Sequence, residues 1–99
     1  MSGTTLIRDD GGVISLSGDL LFSSVGQLLS EGNRLVRACP DAVVDLSAVA
    51  RCDSAALALL LEWMELANAA GGQLKFRALP EALLDIARLS NVETLLPTV

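Results

Sequence analysis

The chain has 99 residues, enough for one domain, and 52% of them are hydrophobic, so a packed core needs no disulfide or metal. Its net charge is −5, and its seven basic residues form no basic run. That balance argues against nucleic acid or an anionic membrane surface as the ligand. Histidine is absent, which removes the commonest general base and zinc ligand. We therefore predict a protein without catalytic residues, metal or cofactor.

The chain carries no visible targeting or membrane segment. Its first ten residues lack the basic and apolar regions of a signal peptide. The longest apolar run, Ala55 to Leu61, is far shorter than the roughly 20 residues of a membrane-spanning helix. We expect a cytoplasmic protein that does not insert into a membrane. Cys39 and Cys52 have no metal-type spacing and are interpreted as small core residues.

Two short strands are predicted to open the chain as a hairpin. The segment Thr4–Arg8 is β-prone, and residues 10–12 supply an aspartate and two glycines for a turn. In Val13–Ser17 apolar and polar side chains alternate, which is typical of a half-buried strand. We expect Gly18-Asp19 to end this second strand.

A helix and a central strand follow in the prediction. Ser24, with Gln27 three residues later, fits a capping box. Apolar residues at helical spacing then predict a helix over Ser24–Ala38, which Pro40 stops. The short apolar run Ala42–Leu46 predicts a central strand that is buried on both faces.

The second half of the chain predicts two more helices around one strand. Ala55–Ala70 is apolar almost all round, so this helix is expected to be deeply packed, with Trp63 in the core. Gly71-Gly72 supplies its stop. Clean alternation over Gln73–Leu79 predicts a strand with one face in water, and Pro80 suits the first position of a third helix.

The predicted element order is β-β-α-β-α-β-α in a single domain over residues 1–99. Strand–helix–strand units imply parallel pairing through right-handed crossovers. The polar face of Gln73–Leu79 indicates that the helices cover mainly one face of a mixed sheet. The predicted fold class is therefore α/β.

One serine stands out at the start of the second predicted helix. In open α/β sheets, ligands and partners collect at the carboxyl ends of the strands, beside helix N-termini. Asp53 or Ser54 caps the helix, and a hydroxyl at position 54 could also contact a partner or carry a phosphate. Spacing alone favours the cap. Leu20, Leu21 and Phe22 either pack under the first helix or form an exposed patch beside Ser54.

The stretch VVDLSAVARCDSAALALLLEWMELANAAGG, residues 43–72, resembles the signature region of STAS domains, the fold of anti-sigma factor antagonists. Asp45-Leu46-Ser47 and Asp53-Ser54 match its D-[LF]-S and D-[ST] motifs. The segment SLSGDL, residues 15–20, is similar to the turn that precedes the first STAS helix. The resemblance covers nearly the whole chain and implies a STAS-like fold.

Within that family, residues 53–61 are similar to the helix start D-T-x-x-L-A-L-L-L of MlaB-like proteins. These are cytoplasmic STAS subunits of the Mla phospholipid-transport ABC system. The resemblance implies a non-catalytic subunit that binds and regulates an MlaF-like ATPase, in a complex with a membrane permease that maintains outer-membrane lipid asymmetry. It places the protein at the inner membrane through its partner and implies that Ser54 contacts the ATPase.

The expected partner-binding surface combines the predicted loop Ala48–Asp53, the first turn of the second helix, and the residues after the second strand. The residues assigned to it are Asp19, Leu20, Leu21, Phe22, Arg51, Asp53, Ser54, Ala55 and Leu57.

The alternative function is that of an anti-sigma factor antagonist. In that branch of the family a partner kinase phosphorylates the serine after the aspartate, and the modification breaks binding. Ser54 is the matching residue. Ala55-Ala56 stands where that branch usually has a glycine. The added Cβ hinders the close approach of a partner to the loop. This difference favours the transporter subunit.

Overall fold

The computed structural model describes residues 5–8 and 11–99. Thr4 and Asp10, which the sequence assigns to the first strand and its turn, lie outside the described residues. The elements are β1 (Thr5–Arg8), β2 (Val13–Leu20), α1 (Gly26–Ala38), β3 (Val43–Cys52), α2 (Ser54–Ala69), β4 (Lys75–Arg77), α3 (Glu81–Leu89) and a 3-10 turn at Glu93–Leu95. The predicted order β-β-α-β-α-β-α is confirmed.

The four strands form one sheet in the order β1-β2-β3-β4. β1 is antiparallel to β2, whereas β2, β3 and β4 are parallel. The opening hairpin and the parallel crossovers are therefore confirmed. In β4 the side chain of Phe76 is buried and those of Lys75 and Arg77 are exposed, which agrees with a sheet that the helices cover on one face.

The central strand β3 differs from its prediction in length and burial. It continues past Leu46 to Cys52, so the predicted loop Ala48–Asp53 is wrong except for Asp53. Ser15 pairs with Asp45 but Ser17 pairs with Ala48, and Gly18 pairs with Val49 but Leu20 with Cys52. β3 therefore holds one extra residue at each of two bulges. The regular alternation of a strand is interrupted at each bulge, which is why this part of the sequence was predicted as a loop.

Two further strand predictions are corrected. β2 runs through Gly18-Asp19 to Leu20, because the positive φ of Gly18, 91°, lies beside a bulge rather than in a turn. β3 is central but is not buried on both faces, since Val43 and Asp45 are only half-buried while Val44 is buried. β4 is also shorter than the predicted Gln73–Leu79.

The helix ends confirm some capping predictions and contradict two. The capping box at Ser24 is wrong: Val25 is the N-cap of α1, and its side chain makes no capping hydrogen bond. Asp53 is confirmed as the cap of α2, because its side chain accepts a hydrogen bond from the Ala55 N–H. Gly71 has a φ of +89° directly after that helix, as the predicted stop requires. Pro80 precedes α3 as its N-cap instead of occupying its first position.

α1 and α2 are held together at a close contact between a glycine and a tryptophan. Trp63 is fully buried, as predicted. A Cβ on Gly32 would lie only 2.2 Å from Cζ2 of that ring, so the contact requires glycine. The indole N–H of Trp63 donates to Oδ1 of Asn33 at 3.0 Å. This contact sets the distance between the two helices and the width of the groove between them.

Candidate functional site

The start of α2 is organised by the carboxylate of Asp53. Its Oδ1 accepts a hydrogen bond from the Ala55 N–H at 2.8 Å, which caps the helix. Its Oδ2 accepts one from the Phe22 N–H at 3.1 Å. The Asp53 N–H in turn donates to the Leu20 carbonyl oxygen at 3.2 Å. Asp53 therefore joins the segment after β2 to the first turn of α2.

The connection between β2 and α1 is ordered by Ser24. Its hydroxyl accepts a hydrogen bond from the Leu21 N–H at 2.9 Å and donates one to the Asp19 carbonyl oxygen at 2.6 Å. Leu20 is fully buried, whereas 75% of the Phe22 surface is exposed. The sequence allowed two interpretations of this segment, packing inside the protein or an exposed patch. Each is correct for part of it, because Leu20 packs into the core and Phe22 faces solvent.

An apolar groove of about 330 Å³ separates the first turns of α1 and α2. It is lined by Phe22, Val25, Leu29, Ala55, Ala58, Leu59 and Glu62. The α2 members recur at i, i+3, i+4 and i+7, which places them on one helical face. Five lining residues were absent from the sequence-based site, namely Val25, Leu29, Ala58, Leu59 and Glu62. The helical spacing could have indicated the last three.

The nine predicted site residues divide into surface and core. Ser54, Phe22 and Arg51 are exposed, and Asp53 and Leu21 are half-buried. Four side chains are buried in the protein instead, namely Asp19, Leu20, Ala55 and Leu57. Leu57 and Leu20 belong to the hydrophobic core, so their side chains are not presented to a partner; Ala55 reaches the surface only as part of the groove floor.

Asp19 has an internal electrostatic role. Oδ2 of this 5% exposed aspartate accepts hydrogen bonds from the Arg51 guanidinium, with Nη2 at 2.9 Å and Nε at 3.3 Å. The Arg51 side chain remains 72% exposed. The pair neutralises a buried carboxylate between β2 and β3 and leaves the arginine on the surface, two residues before Asp53 in the chain.

The cysteine at this site is not activated as a nucleophile. Burial, with a smaller contribution from Asp53, raises the pKa of the Cys52 thiol, so the reactive thiolate is disfavoured. Among residues 5–8 and 11–99, no three acidic or cysteine side chains lie close enough together to hold a metal ion. The arrangement offers an apolar groove, an exposed hydroxyl and an exposed arginine, which are groups that contact other molecules.

A larger depression, of about 550 Å³, lies between the β4–α3 connection and the C-terminal residues. Phe76, Leu79, Leu84 and Leu96 supply most of its apolar lining. It contains none of the predicted site residues, so size alone does not mark the candidate site. In the part of the chain that the structure describes, the helices are all too short or too polar to cross a membrane.

The family model described as "Mlab, STAS domain" matches residues 4–97. The chain belongs to the STAS domain family. Within this STAS domain, Ser54 is the hydroxyl residue of the D-[ST] motif, at the first position of α2. No curated protein sequence matches the chain.

Solved structures show the same STAS fold. The unphosphorylated form of the anti-sigma factor antagonist SpoIIAA is 14% identical, with a TM-score of 0.75 over 98% of this chain and 88% of that one. An anti-sigma factor antagonist from Mycobacterium paratuberculosis is 25% identical, with a TM-score of 0.72 over 99% and 85%. A candidate antagonist from Thermotoga maritima is 16% identical, with a TM-score of 0.67 over 96% and 84%.

Proposed function

We propose that this STAS domain is a non-catalytic docking subunit that binds the ATPase of an ABC transporter. The transporter is of the phospholipid type that maintains outer-membrane lipid asymmetry, and its ATPase lies at the cytoplasmic face beside a membrane permease. The description of the matching family model, which carries the Mlab name, supports this choice of partner.

The observation that carries the proposal is the exposed surface around Ser54. We define the docking surface as Leu21, Phe22, Arg51, Ser54 and the groove between α1 and α2. Phe22 is a large aromatic side chain left 75% exposed at the edge of an apolar groove. Aromatic side chains of this kind act as anchors at protein interfaces, where a few residues supply most of the binding energy.

Two acidic side chains indicate the charge that is expected on the partner. Glu62 lines the groove, and Glu65 is exposed one turn further along α2. The chain as a whole has a net charge of −5. The segment of the ATPase that fills the groove is therefore expected to present apolar side chains flanked by lysine or arginine, because complementary charges favour the encounter. Binding can change the activity of the ATPase only to the extent that this domain has different affinities for the conformational states of the ATPase.

Co-purification tests the proposal. The chain is co-expressed with the ABC ATPase subunit encoded in the same genome, as wild type and as Ser54→Arg. The substitution places a long, charged side chain next to Ala55, which lines the groove, and we expect loss of the complex, since such changes cost about 2–4 kcal/mol or more. Ser54 is exposed at the first position of a helix, so its replacement leaves the fold intact.

Ser90→Arg is the matched control. Ser90 is also an exposed serine at a helix end, directly after α3, and it lines no part of the groove. Its variant should retain the ATPase as the wild type does. A complex that survives Ser54→Arg, or one that Ser90→Arg abolishes equally, would show that the partner binds elsewhere.

Phosphorylation-controlled binding of an anti-sigma factor kinase is the second candidate. It is favoured by the exposed Ser54 and by the fold shared with anti-sigma factor antagonists. A phosphate on this hydroxyl would add up to two negative charges directly beside the carboxylate residue Asp53 in the chain. Intact-mass measurement of the protein isolated from its own cells decides between the candidates: the second requires a phosphate adduct that Ser54→Ala removes.

A further inference from the structure

We infer that Asp53 is a positioning residue, which holds Phe22 in place for binding and does not itself contact the partner. This inference rests on the proposed docking function. It assigns Asp53 a different role from the one that the sequence suggests, where Asp53 belongs to the contact surface together with Ser54.

Both oxygens of the Asp53 carboxylate are already engaged within the protein. Oδ1 accepts from the Ala55 N–H at 2.8 Å and Oδ2 from the Phe22 N–H at 3.1 Å. The Asp53 side chain is half-buried. A partner that bound this carboxylate directly would have to share or break these hydrogen bonds, which favours an indirect role.

The other hydrogen bonds described for this segment hold the residues before Phe22, since the Leu20 carbonyl oxygen accepts from the Asp53 N–H at 3.2 Å. Ser24 fixes the neighbouring residue by accepting a hydrogen bond from the Leu21 N–H, three residues away in the chain. Asp53 is 31 residues away from Phe22 and belongs to a different element. The Asp53 hydrogen bond therefore sets the position of Phe22 relative to α2, and hence relative to Ser54 and the groove.

An anchor that is fixed before binding loses less conformational freedom when the partner arrives. With Phe22 held by Asp53, the aromatic ring stands at the edge of the groove in the free protein. Without that hydrogen bond, the segment between β2 and α1 can sample other positions, and the partner must order it. Asp53 thus adds affinity through Phe22.

Asp53→Asn isolates this effect. Asparagine has nearly the same shape and is an equally good helix cap, but it replaces one of the two acceptor oxygens by an NH₂ donor. The asparagine oxygen keeps the cap to the Ala55 N–H, so the hydrogen bond from the Phe22 N–H is the one lost. Asp41→Asn is the matched control, because Oδ1 of Asp41 accepts from the Gln73 N–H, 32 residues away, at 3.0 Å.

The first measurement is a double-mutant cycle of affinity for the purified ATPase subunit, using wild type, D53N, F22A and the double variant. We expect F22A to weaken binding by about 10-fold or more. D53N should weaken it by about fivefold when Phe22 is present and by less than twofold in the F22A background, since its effect passes through Phe22. Equal losses in both backgrounds would mean that Asp53 contacts the partner directly and would overturn the inference, as would no loss at all.

The second measurement needs no partner. Amide hydrogen exchange reports local opening residue by residue, and D53N should speed exchange of the Phe22 N–H by about tenfold. D41N should speed exchange at Gln73 and leave Phe22 unchanged. If the wild-type chain fails to bind the ATPase, the proposed function is refuted and this exchange result decides the positioning role alone. Unchanged Phe22 exchange in D53N overturns it.

Discussion

Replacing Gly32 by alanine tests the contact that sets the spacing of α1 and α2. In an exposed helix this change is stabilising by about 1 kcal/mol, because glycine is the poorer helix former. Here the new Cβ would lie 2.2 Å from Cζ2 and 3.0 Å from Cε2 of Trp63. Atoms cannot approach so closely, so either the ring or the helix must move.

The size of the loss follows from what resists that movement. The Trp63 ring is fully buried, and its N–H donates to Asn33 at 3.0 Å. Overpacking a core costs about 1–3 kcal/mol, and a buried donor that loses its partner costs about 1–3 kcal/mol more. After subtraction of the gain in helix propensity, about 1 kcal/mol, we expect Gly32→Ala to lower the free energy of unfolding by about 3 kcal/mol.

Urea unfolding followed by fluorescence provides the assay, because Trp63 is the single tryptophan of the chain. For a domain of this size the loss corresponds to a decrease in Tm of about 15–20 °C. Gly26→Ala is the control: Gly26 begins α1, and a Cβ there would meet nothing within 4 Å, so stability should be unchanged or slightly higher. A Gly32→Ala protein as stable as the wild type would refute this account of the helix contact.

Two further predictions concern a carboxylate and a glycine. Hydrogen bonds from Ser47, reinforced by Arg77, lower the pKa of Asp45 to about 2. The ionised Asp45 carboxylate therefore stabilises the fold above its unfolded pKa near 3.9, and this stabilisation is lost as pH falls toward 2. Asp45→Asn should cost about 1 kcal/mol at pH 7 and almost nothing at pH 2, which urea titrations at both pH values measure; a loss independent of pH would contradict this. Gly71 has a φ of +89° in open space, so Gly71→Ala should cost about 1 kcal/mol and Gly71→Asn less, whereas equal thermal stability of both variants would count against backbone strain.

The element order and the sheet pairing could be predicted because they depend on local periodicity and on the chirality of crossovers. Gln73–Leu79 indicated which face of the sheet is open, and Gly71 marked the end of α2. The extension of β3 to Cys52 could not be predicted in this way. Two bulges shift its register, and the alternation that marks a strand is lost at a bulge.

The candidate site was predictable at Ser54 and only in part around it. Apolar residues two positions apart have different environments: Leu20 lies in the core, while Phe22 is exposed. The hydrogen bond from the Phe22 N–H to Asp53 joins residues 31 positions apart, and no local pattern encodes that contact. Ser24 likewise matches a capping box in sequence, yet its hydroxyl bonds back to the Asp19 carbonyl oxygen, because β2 continues further than its pattern indicates.

Site-specific photocrosslinking in cells tests the docking surface most directly. A photoreactive p-benzoylphenylalanine replaces Ser54 in one strain and Ser90 in another, and the crosslinked products are identified by mass. The account predicts a covalent product with the ABC ATPase subunit from position 54 and none from position 90. Crosslinks to that ATPase from position 90 alone, or products at position 54 that never contain it, would contradict the proposal.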